Sequence, residues 1–193
     1  MSTDALQVQY ADTEETKLPV IEFVNTYYQK RYKTHPPVAH AYSVVRRNQE
    51  ICAVMGIELP DETLGLQIER TWNLELSNLG LPLTRQNGVQ LSRWTSTDRT
   101  CGMVAVLAAV VYCLSRDKLY ALVEHDEEIY RYCMSELGIV FHSVTHGAIN
   151  LEALPPANRI WYAHGKMKPY LVELEQMREA LALRTKDVSF EGV

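Results

Sequence analysis

The alternation of apolar and polar residues changes its period several times along this chain, and each change predicts a different element. Residues 88–95, with the sequence GVQLSRWT, read as a strand, and residues 102–114 form a small, apolar run of helical length. A polar turn, residues 96–101, separates them. Residues 118–123 predict a buried strand, and residues 126–137 predict an amphipathic helix. This strand–helix–strand–helix order is typical of parallel crossovers.

The N-terminal half predicts a hairpin flanked by a helix and by irregular segments. Residues 39–60 contain two β-prone runs around a turn at Asn48, which predicts the hairpin. Residues 18–35 have the apolar spacing of a helix, and residues 61–87 predict short helical or irregular pieces. Residues 1–17 are acidic and poor in apolar side chains, so we expect a flexible arm there.

Towards the C-terminus the patterns predict two strands and a closing helix, over residues 139–144, 158–163 and 168–183 in that order. The hairpin and the late strand require antiparallel partners, whereas the central crossovers require parallel ones. Together they predict an α/β (α+β) fold with a mixed sheet and helices on both faces. The length of 193 residues suits a single domain, which we place over residues 18–193.

Composition and charge narrow the class of protein. The formal net charge of −5 does not indicate a nucleic-acid-binding protein. The longest apolar stretch, residues 103–114, is shorter than the run of about 18 residues that spans a bilayer. The N-terminal residues do not resemble a secretory signal, and the four cysteines lack a CxxC spacing. We therefore expect buried free thiols and a cytoplasmic protein.

The turn before the apolar helix is a candidate anion site. The first amides of a helix lack backbone partners and lie at the positive end of its dipole, so a turn leading into them can bind phosphate. Gly102 allows a ligand to approach the backbone closely, and Arg99 supplies a positive charge. The alternative is a plain buried crossover helix that needs a small residue at its tight start.

Residues 89–147 resemble the core of the GNAT fold, whose phosphate-binding turn carries an RxxGxG/A-like motif. Here that turn reads Arg99-Thr100-Cys101-Gly102-Met103, which keeps one arginine and one glycine. Residues 90–94, QLSRW, resemble the E-L/I-S-R-F run of acyl-homoserine-lactone synthases and their relatives, the N-acyl amino acid synthases. A first helix that ends in Arg31-Tyr32 resembles the long-chain N-acyl tyrosine synthases. The resemblance implies a GNAT-like, mostly antiparallel central sheet.

The resemblance also implies an N-acyltransferase. Its donor would be the 4'-phosphopantetheine thioester of an acyl carrier protein bearing a long fatty acyl chain, and its acceptor an amino acid, most plausibly tyrosine. No tightly bound cofactor is expected. Homoserine-lactone synthases use S-adenosylmethionine, and Gln90 lacks the carboxylate that suits this cation. The reduced phosphate turn favours a carrier protein over free coenzyme A. Two alternatives remain: an acyl-homoserine-lactone-type autoinducer synthase and a non-catalytic fatty-acyl-binding module.

Acyl transfer to an amine needs an oriented amine, donors for the developing oxyanion and a route for the proton. We expect the backbone of Trp94, Thr95 and Ser96 to hold the thioester and its oxyanion. The pantetheine phosphate is expected on the turn residues, Arg99, Thr100, Cys101, Gly102 and Met103.

The acceptor's carboxylate is expected at Arg93, with Arg31 second and Tyr32 beside it, because a guanidinium matches a carboxylate bidentately. A surface ion pair is the alternative for Arg93. Gln90 is expected to orient the amine, unless it points to the other face of its strand. It cannot serve as the base.

The general base stays open at this stage. Glu58, Glu69 and Glu75 are candidates, with Glu58 foremost, and an ordered water that passes the proton to solvent is equally acceptable. Cys101 at a helix start could be a nucleophile, but direct transfer needs none, so we expect it to pack near the thioester.

Three further expectations concern the acyl chain, the carrier and metal binding. Met55, Val104, Leu107 and Ala108 could line an acyl tunnel, although core packing explains them equally well. Arg85, Arg99, Arg116 and Lys118 could form a basic face for an acidic carrier protein, or could simply be solvated. His142 and His146 are expected to be surface or hydrogen-bonding residues, and no metal site is expected.

Overall fold

The computed structural model describes residues 5–79, 82–144, 147–154, 156–162 and 166–192. Its strands are β1 (Leu6–Ala11), β2 (Ala41–Arg47), β3 (Glu50–Glu58), β4 (Gly88–Ser96), β5 (Tyr120–His125), β6 (His142–Ser143), β7 (Lys168–Glu173) and β8 (Phe190–Glu191). Its α-helices are α1 (Glu14–Tyr32), α2 (Gln67–Trp72), α3 (Arg99–Leu114), α4 (Glu127–Tyr132), α5 (Arg159–Tyr162) and α6 (Leu174–Thr185). A π-helical turn, Cys133–Leu137, extends α4.

The strands of the described residues form one eight-stranded sheet in the order β6-β7-β5-β4-β3-β2-β1-β8. β1 pairs with β8 and β4 pairs with β5 in parallel, and the other neighbours are antiparallel. The β2–β3 hairpin turns at Asn48 and Gln49, whose φ angles of 52° and 71° are those of a tight type I′ turn. The predicted hairpin, the parallel crossover and the mixed, mostly antiparallel sheet are confirmed.

Helices cover both faces of the sheet because successive side chains of a strand point in opposite directions. Met55 and Ile57 belong to the core that packs against α3, whereas Val54 packs with Val20 and Val24 of α1. We call these two sides the α3 face and the α1 face. α3 is buried along nearly its whole length because small apolar residues occupy all of its sides.

The expected flexible arm over residues 1–17 is wrong for the part that the structure describes. β1 alternates buried and exposed side chains and lies between β2 and β8 in the sheet. Thr13 then caps α1, and the acidic residues Glu14 and Glu15 lie in the first turn of that helix. Negative charge is favourable at a helix N-terminus, so these residues stabilise order where composition suggested disorder.

Two C-terminal predictions are also wrong. Residues 158–163 do not form a strand, since their described part ends a 3-10 turn and forms α5. Residues 168–183 are not one helix, because the chain forms β7 first and α6 begins at Leu174. β7 lies between β5 and β6 and is buried on both faces, so it lacks the alternation that marks a strand. The strand predicted over residues 139–144 is shorter, with only β6 paired.

The parallel strands β4 and β5 separate after a short paired stretch. Their ladder joins Gly88, Val89 and Gln90 to Tyr120, Ala121 and Leu122 and ends there. β4 continues along β3 as far as Ser96, while β5 continues along β7 as far as His125. The edge of β4 that faces β5 therefore has no strand partner beyond Gln90 among the described residues. We call this opening the seam.

A β-bulge distorts β4 beside the seam. Val54 pairs with Thr95 and Gly56 pairs with Ser92. Met55 of β3 therefore lies opposite two residues of β4, Arg93 and Trp94. The first of these, Arg93, has a φ of 57°, a left-handed conformation that is uncommon outside glycine. Bulges of this kind redirect backbone groups and often lie beside active sites.

Candidate active site

The seam opens into a cavity of about 480 Å³. The separated ends of β4 and β5 form two of its walls. The C-terminal part of α1 with Pro36 and Pro37, the start of α4, and α5 supply most of the rest, and single residues of β3 and α2 complete it together with Lys166 and Met167. The cavity thus lies at the carboxyl ends of two parallel strands, a common place for ligands in sheets of this kind.

The two ends of the cavity differ in polarity. Apolar side chains that belong to, or pack against, the core under α3 line one end: Met55, Leu91, Trp94 and Ile129. Polar side chains on the α1 face line the other end: Tyr28, Gln90, Arg93, Glu124 and Tyr162. The division is one of predominant character, since His125 and Asp126 line the cavity near Ile129, and Pro36, Pro37 and Met167 line it too. A ligand with a long apolar part and a polar head would match the predominant character of the two ends.

Gln90 lies on the cavity wall where the strands begin to separate. It is 3% exposed, and its Oε1 accepts a hydrogen bond from the backbone N–H of Ile68, at 3.0 Å, near the start of α2. Its Nε2 group has no protein partner among the described residues. Gln90 can therefore donate to an oxygen of a bound ligand, and the reading that it points away from the site is wrong.

Arg93 is buried and already engaged by the protein. Its Nη1 donates to Glu58 Oε1 and to Ser92 Oγ, and its Nε donates to the carbonyl oxygen of Pro37. Nη2 is the nitrogen left without a partner among the described residues. The alternative of a surface ion pair is wrong, since the Arg93 side chain is 5% exposed.

Both oxygens of the predicted base, Glu58, have partners. Oε1 accepts from Arg93, and Oε2 lies 3.1 Å from His40 Nδ1. Glu58 does not line the cavity, so the geometry disfavours it as a base. Glu69 and Glu75 lie outside the cavity wall too. Glu69 accepts from the Leu66 N–H at 2.6 Å, and Glu75 is exposed.

Glu124, the last residue but one of β5, is a cavity residue that was not predicted from the sequence. Its carboxylate lies on the cavity wall, where Oε1 accepts from Trp72 Nε1 at 2.5 Å and from the Tyr162 hydroxyl at 2.8 Å. Burial raises the pKa of Glu124, while the hydrogen bonds from Trp72 and Tyr162 and the charge of Arg93 act in the opposite direction. The sequence did contain a signal for this residue, because the polar residues Glu124 and His125 end the apolar strand β5, which is parallel to β4.

His125, the next residue, lies on the α3 side of the cavity. Its ring packs against Phe141 and Tyr170, with ring centroids 5.4 Å and 6.5 Å away. Burial lowers the pKa of His125 to about 4, and the neighbouring Asp126 carboxylate opposes that shift. The imidazole is thus neutral near pH 7.

The N-terminus of α3 differs from the predicted phosphate site. The helix begins at Arg99, three residues before Gly102, and its N-cap is Asp98. The Cys101 N–H donates to Asp98 Oδ1 at 2.9 Å and the Gly102 N–H donates to the Asp98 carbonyl at 3.1 Å. These amides are not free for a phosphate, and a carboxylate already occupies the positive end of the helix.

The predicted phosphate-binding role is therefore wrong for Cys101 and Gly102, which are buried together with Met103 inside the helix. A Cβ on Gly102 would lie 2.9 Å from Ser96 Oγ, so this glycine lets α3 pack closely on the end of β4. The alternative, a buried helix with a small residue at its tight start, is what the structure shows. Arg99 and Thr100 remain accessible in part, but Arg99 already contacts Tyr132 and Glu136.

We expect the Asp98 cap to contribute measurably to stability. Asp98→Ala removes an N-cap, which costs about 1–2 kcal/mol of unfolding free energy. Asp98→Asn keeps the acceptor and loses the negative charge, which interacts with the half-exposed Arg47 and with the helix dipole, so its cost should be smaller, below about 1 kcal/mol. Urea unfolding of the two variants compares these effects. Equal losses in both would contradict the cap.

Cys101 is not a nucleophile in this structure. Its side chain is buried with its Sγ 2.8 Å from that of Cys52, and burial raises the pKa of its thiol. All four cysteines are buried and free, as predicted.

The residues predicted to hold the thioester do border the seam. Trp94 lies on the cavity wall, and its indole N–H donates to the Gly102 carbonyl at 3.1 Å. Thr95 and Ser96 pair with β3 and continue the unpaired edge of β4 towards α3. At the mouth, Arg31 and Tyr32 stand together, with the guanidinium 5.6 Å from the ring centre.

Of the predicted acyl-pocket residues, Met55 lies on the cavity wall. Val104, Leu107 and Ala108 do not, because α3 packs them into the core against the sheet. For these three, ordinary core packing is the correct reading.

The predicted basic face is largely engaged within the protein. Arg85 forms an ion pair with Glu69, and Arg99 forms one with Glu136. The guanidinium carbon of Arg116 lies 3.6 Å from the centre of the Tyr112 ring. Lys118 donates to the Gln86 carbonyl. These contacts leave less of the positive charge for a partner than the sequence suggested.

His142 is half-exposed and lies 3.6 Å from Glu173, and His146 is outside the described residues. Within the described ranges, no three His, Cys, Asp or Glu side chains gather as a metal site requires. No helix in those ranges has the length and apolar character needed to cross a bilayer.

Comparisons with known proteins identify the fold. No protein-family model and no curated protein matches the sequence. The structure of LasI, an acyl-homoserine-lactone synthase, matches with a TM-score of 0.61 and 14% identity over 92% of this chain and 95% of that one. BjaI, a CoA-dependent acyl-homoserine-lactone synthase solved with SAM and isopentyl-CoA, matches with a TM-score of 0.64 and 10% identity over 98% and 94%.

FeeM, an N-acyl amino acid synthase from uncultured soil microbes, matches with a TM-score of 0.58 and 12% identity over 95% of this chain and 99% of that one. At these identities the likeness concerns the fold. The resemblance predicted from residues 89–147 is confirmed at that level. The chain has the GNAT-like fold that acyl-homoserine-lactone synthases share with an N-acyl amino acid synthase.

Proposed function

We propose that this protein is an N-acyltransferase that moves a long-chain fatty acyl group from an acyl carrier protein to the amino group of an amino acid, with tyrosine as the preferred acceptor. The observation that carries the proposal is the seam between β4 and β5, which opens into a cavity with one apolar end and one polar end. The seam provides an extended slot for the pantetheine arm, and the cavity provides separate places for the two substrates.

The reacting carbonyl would lie at the seam itself. Among the residues that the structure describes, the edge of β4 beyond Gln90 has no strand partner, so its backbone groups are available to the pantetheine amides and to the oxyanion. The bulge at Arg93 and Trp94 turns the backbone away from the β3 ladder at this point. Donors fixed in this way need no rearrangement when charge develops on the oxygen.

The acyl chain would extend towards the apolar end of the cavity. Ile129→Trp should fill that end, because Ile129 lines the cavity there. Each excluded methylene costs about 0.8 kcal/mol of binding, so exclusion of two or more predicts a loss of roughly tenfold or more in kcat/KM for a palmitoyl donor. A butyryl donor should be affected much less.

Val140→Trp is the matched control, because Val140 is 50% exposed and does not line the cavity. Steady-state kinetics with both donors test the prediction. If both donors slow equally in Ile129→Trp, the acyl chain does not occupy this end.

The amino acid would bind at the polar end. Gln90 Nε2 and Arg93 Nη2 are donors without protein partners among the described residues, and Arg31 at the mouth adds a second guanidinium. These groups suit a carboxylate. The aromatic rings of Tyr28 and Tyr32 on the same wall favour an aromatic side chain on the acceptor.

The carrier protein is favoured as donor because the N-terminus of α3 is already capped by Asp98. A free coenzyme would need several amides and cations for its additional phosphates, and this helix end offers few. The carrier brings one phosphate only, so it requires fewer such groups than the free coenzyme.

The experiment is a transfer assay with purified protein, palmitoyl carrier protein and single amino acids, with the products identified by mass spectrometry. N-palmitoyl tyrosine as the main product supports the proposal. An intact fatty acid that copurifies with the protein, with no amide formed from any amino acid, would instead identify a non-catalytic binding module.

One observation favours a second candidate, an acyl-homoserine-lactone-type synthase. Glu124 places a carboxylate in the cavity although Gln90 does not, so a cationic acceptor has a possible counter-charge. Adding S-adenosylmethionine to the same assay distinguishes the two. Lactone product without acyl tyrosine would assign this second function.

A further inference from the structure

We propose that Glu124 is the general base of the transfer reaction and takes a proton from the acceptor's ammonium group, an inference that rests on the proposed function. The amine nitrogen then forms a bond to the thioester carbonyl carbon. As the C–S bond breaks, the proton still on the nitrogen passes to the leaving thiolate. The proton on Glu124 returns to solvent, so charge and atoms balance over one turnover.

The position of Glu124 follows from the strand geometry. Leu122 is the last residue of β5 that pairs with β4, and its partner is Gln90. Glu124 lies two residues further along β5, so its side chain is on the same face as that of Leu122, just beyond the point of separation. It therefore faces the polar end of the cavity from the strand opposite Gln90.

Both oxygens of Glu124 accept hydrogen bonds. The other nearby carboxylates differ from it in being held by a cation or in capping a helix. Glu58 is paired with Arg93 and lies behind the cavity wall. Asp126 lines the cavity, but its Oδ1 accepts from the Ile129 N–H at 2.9 Å as the N-cap of α4. Within the described part of the chain Glu124 forms no ion pair, and its partners are the neutral donors Trp72 and Tyr162.

The surroundings of Glu124 favour proton transfer to its carboxylate. Burial raises its pKa, and the charge of Arg93 on β4 and the hydrogen bonds from Trp72 and Tyr162 limit that rise. The titratable and charged groups that line the cavity around it are Arg93, Tyr162, Tyr28, Tyr32, His125, Asp126, Arg31 and Lys166. A carboxylate with a raised pKa is a stronger base than an ordinary carboxylate. The hydrogen bonds from Trp72 and Tyr162 also fix the orientation of the Glu124 side chain.

Glu124→Gln tests the proposal through its pH profile. The wild type should use the ammonium form of the acceptor, so kcat/KM should reach a plateau above the pKa of Glu124. The variant can use only acceptor that is already neutral in solution. Its kcat/KM should be lower by roughly 10²- to 10⁴-fold at pH 7. It should then rise about tenfold per pH unit towards the pKa of the amine.

Tyr162→Phe provides an independent test, because a purely structural role of Glu124 would not produce the result expected for this variant. Removing this donor to the ionised carboxylate should raise the pKa of Glu124 further, so the acid limb of the profile should move to higher pH. Tyr130→Phe is the matched control, since Tyr130 stacks on Tyr170 and is not on the cavity wall. Its profile should stay that of the wild type.

The outcomes separate this inference from the proposed function. If the wild type forms no amide, the proposed function fails. If the wild type is active but Glu124→Gln keeps its rate and its pH profile, Glu124 is not the base. If Glu124→Gln is slow with a parallel, unshifted profile and Tyr162→Phe moves nothing, Glu124 is structural. Thermal unfolding of each variant verifies that it folds.

Discussion

Replacing Glu58 with Gln is expected to lower the free energy of unfolding by about 3–5 kcal/mol. The change keeps the size of the side chain but leaves the Arg93 guanidinium, 5% exposed, without its counter-charge. A buried charge without a partner costs several kcal/mol because its lost hydration is not replaced. Urea unfolding followed by circular dichroism measures the loss.

Two controls make this result specific. Glu136→Gln breaks an ion pair with Arg99 in which both side chains are 55% exposed, and it should cost less than about 1 kcal/mol. The double variant Glu58→Gln/Arg93→Met removes both charges and should recover part of the stability lost in the single variant. A double variant that is less stable than Glu58→Gln would contradict the account.

Stability should also fall on mild acidification because of His125. Its pKa is about 4 in the folded protein against 6.5 for the free side chain. Above pH 6.5 both states are neutral, so His125 adds no pH dependence. Between pH 6.5 and 4 the unfolded chain binds a proton that the folded protein does not, so stability falls as the pH falls, by up to roughly 3 kcal/mol in all.

His125→Phe should remove this dependence while keeping the ring contacts with Phe141 and Tyr170. His142→Gln is the matched control, because the His142 side chain is 42% exposed, and it should leave the slope between pH 6.5 and 4 unchanged. Unfolding free energies measured across that range decide the matter. The same slope in His125→Phe and in the wild type would show that another group is responsible.

The elements that the sequence predicted correctly are those whose residues carry a local signal. The hairpin has a turn sequence between two β-prone runs, and β4 and α3 change abruptly in residue type at the polar turn. β7 and α6 lack such a change, because a strand buried on both faces reads like the buried side of a helix. Tertiary pairing, which local pattern does not contain, decides between them.

Part of the candidate site was predicted correctly, again because the residues concerned carry a local signal in the sequence. Gln90, Arg93, Trp94 and Met55 were found because they lie on or beside β4, whose sequence carries the resemblance. Glu124 was missed because β5 was expected to end at Val123, two residues before its actual end at His125. Only the parallel register of the two strands brings their ends to one cavity.

The helix start was misplaced although its signal is present. Asp98 precedes α3 by one residue, which is the preferred N-cap arrangement, yet the apolar run suggested Gly102 as the start. Apolar residues also do not distinguish a cavity wall from a packed core. Residues such as Val104, Leu107 and Ala108 are common in both settings. Only their neighbours in the fold show that these three belong to the packed core.

The left-handed backbone of Arg93 limits which residues this position can accept. Glycine would relax the conformation at φ 57°, but it would remove the guanidinium that neutralises Glu58. Any other side chain without a charge would retain the unfavourable backbone and lose the same partner. The position therefore requires the charge of arginine, although the left-handed backbone conformation is unfavourable for this residue.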